Sequence, residues 1–366
     1  MKEATQITGL KEEILQLTAL SGEISEYALE RLNESSGYTD NCLSRLRQER
    51  MIVQYKRDDL TGHRLAPKGK HYLVKVYPNR FADLFAVSGA VNKVRLDLLH
   101  RRRYMRSSEL IVMMYNLGIS IFPDKKPSLY APIADSSQSS QAAYYSSYEV
   151  KDRSEESIKF NNARFNGLLR CTAGDYLVYN TGASVIKWES MSEFRAAETV
   201  GHLLKSEIHQ LIIGDTIDTA WDLLTSEGGR QHKYFRLDDM IPSILFVPND
   251  VNGDFLVRMN LLNDSMQRLK YSVLQKMNLH PCPNSLDCDG YTDANTAVLF
   301  ACDMDLKRIH TLKFGLEARG LKSTIICFDF QAELLNRYFG ELASIRTIDA
   351  QKTAALFSIP YRGGTS

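Results

Sequence analysis

The chain has 366 residues, 44% hydrophobic and 24% charged, which excludes a disordered or fibrous polymer and leaves room for two or three domains with a sizeable core. No apolar run approaches the ~20 residues of a membrane-spanning helix, and the N-terminus lacks the basic, hydrophobic and small-residue succession of a secretory signal, so a cytoplasmic protein with no membrane partner is expected. The net charge of +1 hides an asymmetry: residues 1–106 hold 19 Lys or Arg against 13 Asp or Glu, a local +6, while the remainder holds 26 against 31, a local −5. A basic N-terminal segment is the electrostatic footprint of a nucleic-acid-binding module. Six cysteines scattered over so long a chain do not make a disulfide scaffold and read as reduced core residues.

In chain order, Leu10, Ile14 and Leu17 mark one helical stripe, and Ile24, Tyr27, Ala28 and Leu32 a second. Ser35-Ser36-Gly37 reads as a turn, after which Thr39 is placed to cap a third helix. On that helix Leu43 and Leu46 share one face, so Asp40, Asn41, Ser44, Arg45 and Gln48 project the other way. Asn, Gln and Arg make bidentate contacts to adenine or guanine edges in a major groove, although an ordinary amphipathic helix has the same Leu-x-x-Leu spacing. After Arg50 the period changes to alternation: Ile52 to Arg57, a turn within Asp58-Asp59-Leu60-Thr61-Gly62, and a return through His63-Arg64-Leu65 predict a hairpin. Ala66-Pro67-Lys68-Gly69 then starts a further helix with Pro in its first turn.

Over about residues 10–75 this order resembles a winged helix-turn-helix, with Leu46-Arg47-Gln48-Glu49-Arg50-Met51-Ile52 closing the recognition helix and Leu65-Ala66-Pro67-Lys68-Gly69 following the wing. It departs from the pattern at Arg50, where such proteins usually carry a left-handed Gly, at a cost of ~1 kcal/mol. Thr39, Asn41, Ser44, Arg45 and Gln48 on the helix, Lys56, Arg57, His63 and Arg64 on the hairpin, and Lys68 are the candidate contacts to double-stranded DNA.

Residues 81–120 predict two helices, one carrying Phe81, Leu84, Phe85, Val91, Val94 and Leu98 and one carrying Leu110, Ile111 and Met114. Between them His100-Arg101-Arg102-Arg103-Tyr104-Met105-Arg106 places four arginines in seven residues. Arg101, Arg102 and Arg103 are candidates for clamping a DNA backbone, since neutralised phosphates release counterions; the alternative is a solvated helix end whose cations suit the C-terminal dipole. The expected organisation is α+β: a winged helix-turn-helix domain over 1–80, a helical extension over 81–130, a Ser/Gln/Tyr-rich linker over 131–148, and an α/β domain over 149–366. In that last domain Gly174 to Asn180 and Ala183 to Glu189 read as a hairpin turning at Thr181-Gly182, followed by a helix from about 192 to 206. Leu211-Ile212-Ile213, Ser243 to Val247 and Phe255-Leu256-Val257 read as strands. Ala297 to Cys302 and Thr324 to Phe328, around a helix over about Leu306 to Arg319, form a buried parallel βαβ unit.

The sheet expected there is a degenerate restriction-endonuclease-like or a Rossmann-like one. A PD-(D/E)XK nuclease sets Asp on one strand and an acid-x-Lys on the next, so that two carboxylates hold Mg²⁺. Asp175 and Lys187 fall at suggestive places, but the position two before Lys187 is Val185, and the triplet Glu149-Val150-Lys151 precedes Asp175 instead of following it. A nuclease-like shape without catalysis, cofactor or metal is therefore preferred, with Mg²⁺ held through Glu149, Lys151, Asp175 and Lys187 as the alternative. The Cys282 to Asp289 segment lacks zinc-ligand spacing, and Asp303 and Asp305 read equally as sheet-edge ligands or as helix caps. No phosphate loop, dinucleotide fingerprint or Gly-x-Ser-x-Gly is present.

With Tyr176-Leu177-Val178-Tyr179-Asn180 and Ile186-Lys187-Trp188 in its second half, the chain as a whole is similar to the replication-relaxation family and related accessory proteins of plasmids and integrative elements of Gram-positive bacteria. The resemblance implies sequence-specific binding at an origin or operator of a mobile element, with replication or relaxase proteins of the same element as partners, and a homodimer as a possible state. A metal-dependent nuclease aimed by its winged helix and a ligand-sensing regulator are the alternatives.

Overall fold

The computed structural model describes residues 7–32, 35–86, 97–129, 142–152, 160, 163–183, 190–228, 235–237, 240–281, 286–294 and 296–361. The chain divides into two units, Met1–Ser128 and Leu129–Ser366.

The first unit runs α1 (Leu10–Ser21), β1 (Ile24–Ser25), α2 (Glu26–Leu32), α3 (Ser36–Gln48), β2 (Ile52–Arg57), β3 (Leu60–Leu65), α4 (Pro67–Val76), α5 (Pro78–Ala86) and α6 (Leu98–Asn116). It consists of helices around a small antiparallel sheet in the order β1-β3-β2. The third helix begins earlier than predicted: Ser35 is its cap, accepting from the Tyr38 backbone N–H, and Thr39 is buried inside the first turn with its hydroxyl donating back to the Ser35 carbonyl. Its other end behaves as the missing glycine implies. Arg50 itself takes the left-handed conformation at φ 55°, so that the Met51 N–H reaches the Leu46 carbonyl (2.8 Å) and the Arg50 N–H that of Arg47 (2.9 Å), closing a Schellman motif. The Met51 carbonyl then accepts from Ala66 N–H, and a Cβ on Gly69 would strike the same oxygen, which is why α4 opens with Pro-Lys-Gly against the end of α3.

The hairpin turn is tighter than predicted, two residues at Asp58-Asp59, with Asp58 at φ 52° and Arg57 paired with Leu60. The arginine run also lies elsewhere than expected. It forms the N-terminal half of one continuous helix, α6, which packs on α1, α2 and β1, so the helical extension belongs to the core of the first unit and its cations do not sit at a helix C-terminus. Residues 87–96, including Val91 and Val94 of the predicted stripe, lie outside the described residues.

The second unit runs β4 (Ala143–Ser146), α7 (Ser147–Asp152), β5 (Gly167–Cys171), β6 (Gly174–Gly182), α8 (Ser190–Leu204), β7 (Ile208–Gly214), α9 (Thr219–Leu224), β8 (Ile244–Pro248), α10 (Val251–Val257), a π turn (Arg258–Leu262), α11 (Ser265–Gln275), β9 (Gly290–Tyr291), β10 (Ala297–Phe300), α12 (Leu306–Arg319), β11 (Ser323–Phe328), α13 (Ala332–Phe339), β12 (Ala343–Ile348) and α14 (Ala350–Leu356). The predicted linker ends sooner than 148, because Ala143–Ser146 is already an edge strand; residues 130–141 lie outside the described residues. One sheet is ordered β4-β5-β6-β7-β8, with β5 antiparallel to both neighbours and β6, β7 and β8 mutually parallel. The other is ordered β12-β11-β10-β9, with β10, β11 and β12 parallel, and contains the βαβ unit read from the sequence.

Two predicted elements are corrected here. Thr181-Gly182 is not a turn: β6 continues through it because β7 supplies a parallel partner out to Gly182 and Gly214, and the hairpin that forms is β5–β6. Phe255-Leu256-Val257 is not a strand but the end of α10, started by Asp250, whose carboxylate accepts from Asn252 and Gly253 N–H.

Candidate nucleic-acid interface

α3 buries Cys42, Leu43 and Leu46 and turns Tyr38, Asp40, Asn41, Arg45 and Gln48 to solvent, with Ser44 half-buried. Asn41, Arg45 and Gln48 lie three or four residues apart and so form one stripe. Arg47, which drew no attention in the sequence, bridges this helix to the hairpin by donating to Ser44 Oγ (3.2 Å) and Gln54 Oε1 (2.8 Å). On β2, Val53, Gln54, Lys56 and Arg57 are exposed.

β3 is different. It is the central strand, covered on both faces, and Gly62, His63, Arg64 and Leu65 are all buried. His63 is therefore no phosphate ligand: burial, helped by the Arg47 charge and opposed by Glu23, pushes its pKa down to about 4, so the ring is neutral near pH 7. Arg64 is also withdrawn. Its Nε and Nη2 donate to Glu23 Oε2 at 3.0 and 2.7 Å, and its guanidinium lies over the Tyr55 ring. Arg101 meets the same carboxylate from α6, donating from Nη2 to Oε1 at 2.6 Å and from Nε at 3.1 Å, with a further bond to the Tyr55 carbonyl. Glu23 is fully buried. It occupies the space left by Gly62, where a Cβ would lie 2.5 Å from its Oε1. Neither arginine of this triad can reach a phosphate without stranding a buried carboxylate.

The remaining candidates stay at the surface. Lys68 donates to the Glu49 carbonyl (2.9 Å), capping the C-terminus of α3. Arg57 approaches Asp58 at 3.9 Å, Arg102 reaches Asp59 at 3.2 Å, and Lys56 and Arg103 are exposed. Of the thirteen residues nominated from the sequence, Thr39, His63, Arg64 and Arg101 are thus structural, and the rest lie on α3, β2, the first turn of α4 and the first turns of α6. Glu23 had no local signal: its partners lie 41 and 78 residues away.

Of the alternative metal set, Glu149 follows the Ser146–Gly167 end of the β4–β5 pair and Asp175 lies opposite Arg170, toward its other end. Glu149 accepts from Ser146 N–H (2.9 Å) and Oγ (3.0 Å) at the start of α7; its triplet is helical, and Lys151 lies over the Phe165 ring. Asp175, near the β5–β6 turn, is held by Arg170 (3.0 Å) and Ser206 Oγ (2.6 Å). Lys187 lies outside the described residues. Among the described residues no three His, Cys, Asp or Glu side chains are grouped to hold a metal ion. Asp305 is the N-cap of α12, accepting from Lys307 N–H, and burial next to Asp303 raises its pKa to about 6. Glu193 on α8 is buried on the face of the first sheet, accepting from Tyr179 Oη (2.8 Å) and Arg164 N–H (2.7 Å); burial pushes its pKa up to about 7 against those bonds.

Comparison with known proteins gave no matching family model, no matching curated protein and no matching solved structure.

Proposed function

We propose that this chain is a sequence-specific double-stranded DNA-binding protein whose first unit is a winged helix-turn-helix, serving replication, transfer or transcription control of a mobile element. The observation that carries this reading is the outer stripe of α3: three side chains able to address base edges, Asn41, Arg45 and Gln48, exposed together on a short helix whose ends are fixed by the Ser35 cap and the Arg50 Schellman turn. The hairpin beside it, tied to the helix by Arg47, presents Lys56 and Arg57 as backbone contacts. Relaxase or replication proteins of the same element, and a second copy of the chain on a two-fold site, are the partners that go with this role.

The second unit is read as a nuclease-like scaffold without the nuclease site. The β5–β6 hairpin offers Asp175 alone, already taken by Arg170 and Ser206, and the next strand, β7, carries no acidic residue.

Selecting bound fragments from the host element with the full-length protein tests the reading. Asn41→Ala, Arg45→Ala and Gln48→Ala should each lose ~1–3 kcal/mol of discrimination between selected and scrambled sites, while Lys56→Ala and Arg57→Ala weaken both alike. Failure to enrich any fragment, or nicking of plasmid with Mg²⁺ that Asp175→Ala abolishes, would overturn the respective half of the proposal.

A further inference from the structure

The tip of the β2–β3 hairpin is an odd surface for a polyanion. Lys56 and Arg57 are followed at once by Asp58 and Asp59 in the two-residue turn, so the tip carries no net charge. Its two carboxylates are each met by an arginine, Asp58 by Arg57 and Asp59 by Arg102. The second pair joins separate elements, and its geometry is imposed from below. Arg101, the preceding residue of α6, is locked by Glu23 and by the Tyr55 carbonyl on β2, four residues before Asp59. The helix is therefore fixed against the hairpin at Arg101, while Arg102 keeps an exposed side chain at the tip, 49% accessible against 67% for Asp59.

We propose, resting on the DNA-binding reading above, that Asp59 is an internal stand-in for a phosphate, and that Arg102 exchanges it for the DNA backbone on binding, with the triad holding α6 in place for the exchange. Three physical points favour this. An exposed pair of this kind is worth at most about 1 kcal/mol, so it yields readily. A guanidinium gains more from a phosphate than from a solvated carboxylate, because the bond is charge-assisted and can be bidentate. The anchor lies in the backbone and in Arg101, so only the Arg102 side chain has to move. Asp59 thereby attenuates sequence-independent affinity without touching the stripe on α3, which raises the share of binding that depends on base contacts.

The test uses the full-length protein and a random-sequence duplex titrated over a range of salt concentrations, with wild type, Asp59→Asn, Arg102→Ala and the double variant. All are surface positions. Asp59→Asn should bind up to about fivefold more tightly at low salt, the ratio set by a pair worth up to about 1 kcal/mol, with the log–log salt slope little changed because the same phosphate is contacted in both proteins. Arg102→Ala alone should weaken binding and make the slope shallower by about one, because it loses the phosphate contact and leaves Asp59 uncompensated, and in the Asp59→Asn background it should erase the gain. A gain of equal size with and without Arg102 would make Asp59 a generic repulsive charge and overturn the exchange, as would four proteins of equal affinity and slope. Absence of duplex binding by all four, with each one folded, would overturn the DNA-binding reading itself and the exchange with it.

Discussion

Two glutamates, one in each unit, are shut away from water and solve the same problem in opposite ways. Glu23 brings two guanidinium groups into the core and keeps its charge compensated by direct contact. Glu193 has a phenol and a backbone amide, with Lys151 and Arg164 acting only at longer range, and burial drives its pKa to about 7. A buried carboxylate must be paired or must take up a proton. The first unit therefore carries a charge-locked joint and the second a proton-sensitive one.

The largest expected effect breaks the lock. Glu23→Leu leaves Arg64 and Arg101 buried without a counter-charge and should destabilise the first unit by about 3–5 kcal/mol, seen as early loss of helical circular dichroism in urea. Replacing all three members together by Leu and Met should recover most of that loss, since an apolar trio of similar volume avoids the desolvation cost. Equal damage from the single and triple changes would mean that the cost lies in packing and not in stranded charge.

The next effect sharpens the contrast through pH. Glu193 has a folded pKa raised above its unfolded value of about 4.5, so its stabilising contribution is complete below that pH and disappears as pH rises through about 7. His63, depressed from 6.5 to about 4, works the other way: its contribution is complete above 6.5 and is lost as pH falls toward 4. Each is on the order of 3 kcal/mol. Both tryptophans, Trp188 and Trp221, fall in the second unit, so fluorescence-detected urea unfolding isolates it. Its midpoint should drop between pH 5.5 and 8 in wild type and drop markedly less in Glu193→Gln, where only the smaller loss from Asp305, raised to about 6, remains. A wild-type midpoint flat across that range would show that Glu193 is ionised at little cost.

The smallest effect concerns backbone, not charge. Arg50 occupies a left-handed position that Gly takes without strain, so Arg50→Gly should stabilise the first unit by about 1 kcal/mol while leaving α3 and its outer stripe in place. A loss of stability would mean that the arginine side chain contributes more than the turn costs.

What could be read in advance follows the range of the forces involved. The span of α12 and its flanking parallel strands was legible because periodicity, the Asp305 cap and continuous apolar runs are local signals. The departure at Arg50 was legible for the same reason. Thr181-Gly182 and Phe255-Leu256-Val257 misled because a parallel neighbour and a strong N-cap overrode the propensity of a few residues. The site was half legible. The polar stripe of α3 follows from helical spacing, whereas nothing near Arg64 or Arg101 reveals that each is claimed by a glutamate in the loop after α1. An arginine in a basic segment has the same appearance whether it faces a phosphate or a buried carboxylate.

The position of Arg101 also sets a timetable. A growing chain emerges N-terminus first, so Glu23 and Arg64 are available to each other while α6 is still unmade, and the hairpin can close around a carboxylate compensated by one arginine alone. Only when Arg101 emerges does the second guanidinium arrive, and α6 then docks across α1, α2 and β1 as the last large piece of the unit. A chain stopped after α5 would lack both the second guanidinium at Glu23 and the helix that covers α1, α2 and β1.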